Sequence, residues 1–227
     1  MPKLTSIILS CKIRNKTEAH MTMLAIDCIG KYTDLEYELI VVDPEPSEPI
    51  RDDYGVLPKF IHLEPKPDPG YTAGMNLGAK EAKGDYLVFI QNDVFVNEGW
   101  LPGLRQYLES GNWDMVFPDQ VPRSRDFVLD SRKRDPFDPE SLKGSRDEGL
   151  LMITREMFDK MGDFNEELSI LQARDFYERF NNAGGRWTDT NKVLINHVMG
   201  ASNWRQMADD PEEYDRRMGK DAKILNG

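Results

Sequence analysis

Asp85-Tyr-Leu-Val-Phe-Ile-Gln-Asn-Asp93 is the stretch that decides the fold. Five apolar residues, Tyr86 to Ile90, follow one another with no polar alternation. A run that short and that continuous reads as a strand buried on both faces, the kind found in parallel sheets covered by helices. It ends in the polar trio Gln91-Asn92-Asp93. In open parallel sheets ligands bind outside the carboxyl ends of the strands, so the trio stands where chemistry is expected.

Upstream, Thr72 to Lys83 reads as a helix stopped by Gly84, and Phe60-Ile-His-Leu63 as a short strand between two proline-rich loops, 44–49 and 65–70. Glu38-Leu-Ile-Val-Val-Asp43 is a second buried strand ending in a carboxylate. The chain starts with a β-branched strand, Leu4 to Leu9, and then a helix with Asn15 as its cap and Glu18 three residues on. The spacing of Met21, Leu24, Ala25, Cys28 and Ile29 predicts that helix's apolar face.

Downstream, Trp100, Leu101, Leu104, Tyr107 and Leu108 mark a helix closed by Gly111, and Met115-Val-Phe117 a further strand. Alternating strands and helices predict an α/β domain with a mostly parallel central sheet flanked by helices. After the loop that follows, Gly149 to Ile153 reads as a strand and Thr154 to Met161 as a helix. Gln172 to Ala183 is helical with Ala173, Phe176 and Phe180 inward, Lys192 to Ile195 leads to His197, and Pro211 opens a last helix. This second half reads as a smaller layer packed onto the sheet.

The 227 residues, 39% hydrophobic and 30% charged, suit one globular domain spanning 1–227. No apolar run approaches the roughly 20 residues of a membrane span, and no signal peptide precedes the first strand, so a cytoplasmic protein with no transmembrane anchor is expected. Cys11 and Cys28 read as buried reduced thiols. A net charge of -11 disfavours non-specific binding to nucleic acid or anionic lipid. Against that trend Arg123, Arg125, Arg132, Lys133 and Arg134 face only Asp126 and Asp130, a basic segment that is either a solvated loop or an anion-binding lid.

Asp43 and Asp93, each ending a strand, are placed to face one cleft. A carboxylate beside an amide suits magnesium or manganese, which take few protein ligands and complete their shell with phosphate oxygens; equally, an Asn-Asp pair is an ordinary turn. His197 also lies at a strand end. Asp175 and Arg179, four apart on a helix, form either a surface ion pair or part of a site needing a base.

Three blocks together resemble the family 2 glycosyltransferases, inverting enzymes with the glycosyltransferase A-type fold, over roughly residues 4–205. One runs from Ala73-Gly-Met-Asn76-Leu-Gly78 to Gly84-Asp-Tyr-Leu-Val-Phe-Ile-Gln-Asn-Asp93, similar to the family's Asp-x-Asp-type signature. A second runs from Gly149 through Arg155 and Phe158 to Gly162-Asp-Phe164-Asn-Glu166, and a third from Asp175-Phe-Tyr-Glu-Arg179 to Asn196-His197 and Gly200-Ala-Ser202. The resemblance implies a Rossmann-like nucleotide-sugar-binding half, about 1–118, an acceptor-side half, about 119–205, and a C-terminal helical tail, 206–227.

It also implies transfer of a sugar from a nucleotide-diphosphate donor, a UDP-sugar first among them, to an acceptor hydroxyl. Asp43, Tyr71, Asn76, Asn92 and Asp93 would bind the nucleotide-sugar, and Asp93 with His197 would hold Mn2+ or Mg2+. Asp175 would be the base, with Asp147 and Glu148 as rivals. Separately, the local charge excess makes Arg123, Arg125, Arg132 and Arg134 candidate contacts for the acceptor or a phosphate, in a region that matches no family motif. The chain departs from the family pattern at Gln91, where Asp or Asn is usual, and at Gln172 and Ala173, where Glu-Asp is usual. Those departures keep a second reading open, a non-catalytic sugar-nucleotide or glycan-binding module of the same fold. A nucleotidyltransferase fits poorly, because Lys12-Ile-Arg-Asn follows the first strand in place of a glycine-rich phosphate loop. A glycan, a lipid-linked group, a protein, a small molecule or a modified nucleic acid all remain as acceptors.

Overall fold

The computed structural model describes residues 3–44, 60–65, 67, 70–121, 149–198 and 210–226. Eight strands form one sheet in the order β3-β2-β1-β4-β7-β6-β8-β5. They are β1 Thr5–Ser10, β2 Tyr37–Val42, β3 Phe60–Leu63, β4 Tyr86–Ile90, β5 Val94–Phe95, β6 Met115–Val121, β7 Leu150–Thr154 and β8 Trp187–His197. The helices are α1 Lys16–Tyr32, α2 Tyr71–Glu81, α3 Trp100–Glu109, α4 Arg155–Met161, α5 Gln172–Asn182 and α6 Pro211–Asn226.

β2 and β4 flank β1, all three parallel and fully buried, and β3 pairs parallel with β2. The mixed α/β architecture with its parallel core is therefore the one the strand runs predict. The second half differs from expectation. Instead of forming a layer upon the sheet it is threaded into it: β7 lies antiparallel between β4 and β6, and β8 runs parallel along β6. A buried run such as Leu150-Leu-Met-Ile153 fits a central strand of either direction, because burial has no polarity along the chain.

The face of α1 is also rotated from the predicted stripe. Ala19, Thr22, Ala25, Ile26 and Ile29 are buried, whereas Leu24 is 41% exposed. Thr22 can turn inward because its hydroxyl donates to the Glu18 carbonyl at 2.8 Å, as helix threonines do. At the start of α1 the Asn15 side chain accepts from the Thr17 and Glu18 amides, as the capping pattern predicts.

Two apolar clusters fill the space on either side of the sheet. In the second, Phe164 stacks on Phe176 at 4.4 Å between ring centroids and meets Phe89 edge-on at 5.0 Å. These rings bind the loop after α4 to β4 and to the face of α5. Glycine allows α2 and its exit to lie this close to β1. A Cβ at Gly78 would meet Ile8 Cγ2 at 2.5 Å, and one at Gly84 would meet the Ser6 backbone nitrogen at 2.6 Å. The Ile8 methyl can shift, but the Ser6 backbone, locked between two strands, cannot. Gly84→Ala should therefore destabilise the fold by about 2 kcal/mol, a fall in Tm of roughly 4–8 °C. A thermal melt within one degree of wild type would refute this.

Candidate functional site

The register of the three parallel strands aligns their carboxyl ends, pairing Ser10 with Val42 and Leu9 with Ile90. Because β2 and β4 lie on either side of β1, Asp43 and the 91–93 trio leave the sheet about 10 Å apart, on one edge. After Ile90 the chain turns. The Gln91 amide donates to the Gly149 carbonyl at 2.9 Å, and the Asn92 side-chain amide donates to Thr22 Oγ1 at 2.9 Å. That bond of Asn92 fastens the turn to α1.

Asp93 then enters the two-residue strand β5, which pairs antiparallel with the end of β8, Val94 opposite His197 and Phe95 opposite Asn196. The Val198 amide donates to the Asp93 carbonyl at 2.9 Å. These bonds carry His197 to Asp93: Nε2 lies 3.2 Å from Oδ1, with both side chains about 95% buried. Among the described residues Asp93 Oδ1 accepts no well-formed hydrogen bond. Gly149 closes the other side of the imidazole, since a Cβ there would lie 2.7 Å from His197 Nδ1. Gly149 is a site residue that strand reading alone misses; its signal was only its place at the head of the 149–166 block.

A divalent cation fits this pair. The set is one carboxylate and one imidazole, their contact is not a well-formed hydrogen bond, and 3.2 Å is close to the separation of neighbouring ligands on an ion with bonds of about 2.1 Å. Among the described residues no group of three or more His, Cys, Asp or Glu gathers around one point. Such an ion would rely on phosphate and water for the rest of its shell. Gln91, half-buried, supplies no carboxylate.

Asp43 is fully buried. Its Oδ1 accepts from the Ile13 amide at 3.2 Å, while Oδ2, 4.0 Å from His62 Nε2, accepts no hydrogen bond among the described residues. Burial pushes its carboxyl up to about 6 from an ordinary 3.8; the Ile13 amide and the Cys11 thiol pull it back in part, and Glu64 adds to the rise. Burial lowers His62, so its imidazole is neutral at pH 7. An oxygen of this kind wants a donor, and a ligand N–H or O–H would provide one.

Asn76 spends its side chain on the fold. Its amide donates to the Phe164 carbonyl and to Glu166 Oε1, both at 2.9 Å, and its oxygen accepts from the Phe164 amide at 2.9 Å. It shapes the cleft by tying α2 to the 164–166 loop. Tyr71 is 37% exposed at the start of α2. Next to it a cavity of about 10 Å³, room for roughly one water, is walled by Tyr71, Thr72, Met75, Leu151 and Phe164 from one side and by Gln172, Ala173, Phe176 and Tyr177 of α5 from the other. A roomier hollow, about 410 Å³, lies around Lys83, Asp85 and Arg155 at the opposite end of β4, away from the carboxylates.

Asp175 does not line that cavity. Its Oδ2 accepts both Arg179 Nε at 2.9 Å and Nη2 at 2.8 Å, and Arg179 Nη1 donates to the carbonyls of Met161 and Gly162. The pair joins α5 to the end of α4. Arg123, Arg125, Arg132, Arg134, Asp147 and Glu148 lie outside the described residues.

The sequence model described as glycosyl transferase family 2 matches residues 7–165. Two Bacillus subtilis relatives are the uncharacterized glycosyltransferases EpsJ, 25% identical over 165 residues, and YwdF, 27% identical over 172 residues. The alignments take in 69% and 68% of this chain but only 45% and 60% of those relatives. Among solved structures, a mannosyltransferase, PcManGT from Pyrobaculum calidifontis in complex with GDP-Man and Mn2+, superposes with a TM-score of 0.71 at 15% identity, over 98% of this chain and 64% of that one. S. aureus TarS 1–349 gives 0.65 at 17% identity, over 85% and 60%. The fold is thus shared with glycosyltransferases of the A type.

The Asp43 carboxyl makes a pH-dependent prediction. The native state holds its proton more tightly than the unfolded chain, so stability falls as pH rises from about 4 through about 6. Above that range the deficit is about 3 kcal/mol. Asp43→Asn, which keeps an acceptor for Ile13, should raise the urea midpoint at pH 7.5 and leave it nearly unchanged at pH 4. Equal shifts at both values would contradict the buried-carboxyl account.

Proposed function

The chain belongs to glycosyl transferase family 2, and on that footing we propose that it moves a sugar from a nucleotide-diphosphate donor to an acceptor hydroxyl with inversion at the anomeric carbon. The observation that carries this reading is the buried Asp93–His197 pair at the carboxyl edge of the parallel strands. Asp93 and His197 would hold a divalent ion, Mn2+ or Mg2+, which when bound would supply positive charge to a diphosphate leaving group. The Mn2+ in the mannosyltransferase complex supports a metal in this fold.

Asp43 offers its unfilled oxygen to a donor on the base or ribose of the nucleotide, with uridine as the leading nucleotide and guanosine the alternative. Tyr71 flanks the sugar. A carboxylate takes the proton of the acceptor hydroxyl as its oxygen bonds to the anomeric carbon and the bond to the diphosphate oxygen breaks. Asp175 is engaged by Arg179 and does not line the cavity, which favours Asp147 or Glu148, the pair preceding Gly149, for that task. Arg123, Arg125, Arg132 and Arg134 supply positive charge for an acidic acceptor or a phosphate.

The free thiols of Cys11 and Cys28 suit a reducing, cytoplasmic setting. Among the described residues no helix is long and apolar enough to cross a membrane. Gln172 and Ala173 on the cavity wall favour one other reading, a module that binds nucleotide-sugar without transfer.

Saturating UDP or GDP with Mn2+ should raise Tm by roughly 5–10 °C at a hundred times Kd, and Asp93→Asn should remove the manganese-dependent part of the rise. No shift with either nucleotide would sink the donor-site reading. Incubation with UDP-glucose or GDP-mannose then separates enzyme from module. The transferase reading expects donor turnover, cut by about 10²–10⁴ in either Asp147→Asn or Glu148→Gln and less affected by Asp175→Asn. Tight binding with no turnover favours the module.

A further inference from the structure

Helix α5 starts without a cap of its own. Leu171 occupies the cap position and offers no side-chain acceptor, although the first amides of any helix lack partners within it. What α6 holds, fifty residues on, is the segment that leads into the helix, Ser169 to Leu171. Asp221 Oδ2 receives the amides of Ser169 at 2.8 Å, Ile170 at 2.6 Å and Leu171 at 3.0 Å, and Oδ1 receives the Ser169 hydroxyl at 3.4 Å. Asp221 is fully buried, and these donors outweigh burial and hold its carboxyl below its usual value.

One turn earlier on α6, Arg217 Nε donates to Ser169 Oγ at 3.2 Å and Nη2 to the Ser169 carbonyl at 3.3 Å. From the opposite side, Thr72 Oγ1 of α2 donates to the Leu168 carbonyl at 3.2 Å. Segment 168–171 is therefore gripped between the helix that forms the donor side and the C-terminal helix. What it delivers is Gln172, nine-tenths buried on the cavity wall, whose Oε1 accepts no hydrogen bond among the described residues.

We propose that Asp221 is a positioning residue: by anchoring Ser169 to Leu171 from the C-terminal helix, it fixes the start of α5 so that Gln172 presents its amide oxygen to the acceptor hydroxyl. The proposal rests on the transferase reading for the identity of what Gln172 meets, but the anchoring itself does not.

Two measurements on the full chain test it separately. In hydrogen exchange, Asp221→Asn should speed the amides of Ser169 to Leu171 by about tenfold or more and leave those of β1 and β4 unchanged. In hydrolysis of UDP-glucose with Mn2+, the same variant should lose kcat by about tenfold while the KM for donor stays within about twofold. Arg217→Gln, which leaves the carboxylate in place, should show both effects more weakly and stands in should Asp221→Asn not fold. Unchanged exchange at 169–171 overturns the anchor, and a rise in KM with kcat intact overturns the positioning role. A wild type that turns over neither UDP-glucose nor GDP-mannose counts against the transferase reading, and the exchange result then still decides the anchor.

Discussion

Two residues of antiparallel pairing, Val94 and Phe95 against His197 and Asn196, hold the site together. Without that pairing Asp93 would be the last residue of a turn and His197 the end of a distant strand. With it, a carboxylate and an imidazole lie 3.2 Å apart in a place shielded from water. The pairing depends in turn on β7 and β6, which carry β8 from β4 to the far side of the sheet, and on Gly149, whose missing side chain leaves room for the imidazole. The second half of the chain therefore completes the first as part of the same sheet.

This arrangement divides the polar residues into those that hold the frame and those left to act. Asn92 is bonded to Thr22, Asn76 to Phe164 and Glu166, Asp175 to Arg179, and Asp221 to three backbone amides. Among the described residues Asp43 keeps a buried oxygen that accepts no hydrogen bond, and Asp93 a buried oxygen whose neighbour, His197 Nε2 at 3.2 Å, makes no well-formed hydrogen bond to it. Burying a carboxylate with an unmet oxygen is costly, and sites that do so are commonly functional. On the proposed function, a nucleotide would satisfy the first oxygen and a metal ion the second.

Much of this was legible in the residues. Continuous apolar runs announced β1, β2 and β4, and the carboxyl-end rule put Asp43 and Asp93 on one edge. The direction of β7 was not legible, because a doubly buried run looks the same either way. The face of α1 was misjudged because two overlapping stripes at helical spacing compete, and a self-bonded threonine won a core position from Leu24. β5 is too short to show any periodicity, so only the family resemblance linked Asp93 with His197. The anchoring of the segment before α5 is invisible for a related reason: local turn and cap rules look one to three residues away, and Asp221 comes from another helix.

The proposed site has Asp93 and His197 acting together on a divalent ion in the presence of a nucleoside diphosphate. Electron paramagnetic resonance titration of Mn2+ with UDP or GDP measures that directly, without any need for turnover. Nucleotide-dependent Mn2+ binding is expected of the wild type, weakened at least about tenfold, or 1.4 kcal/mol, in both Asp93→Asn and His197→Ala while each variant stays folded. Wild-type affinity in both folded variants, or no nucleotide-dependent Mn2+ binding by the wild type, would contradict it.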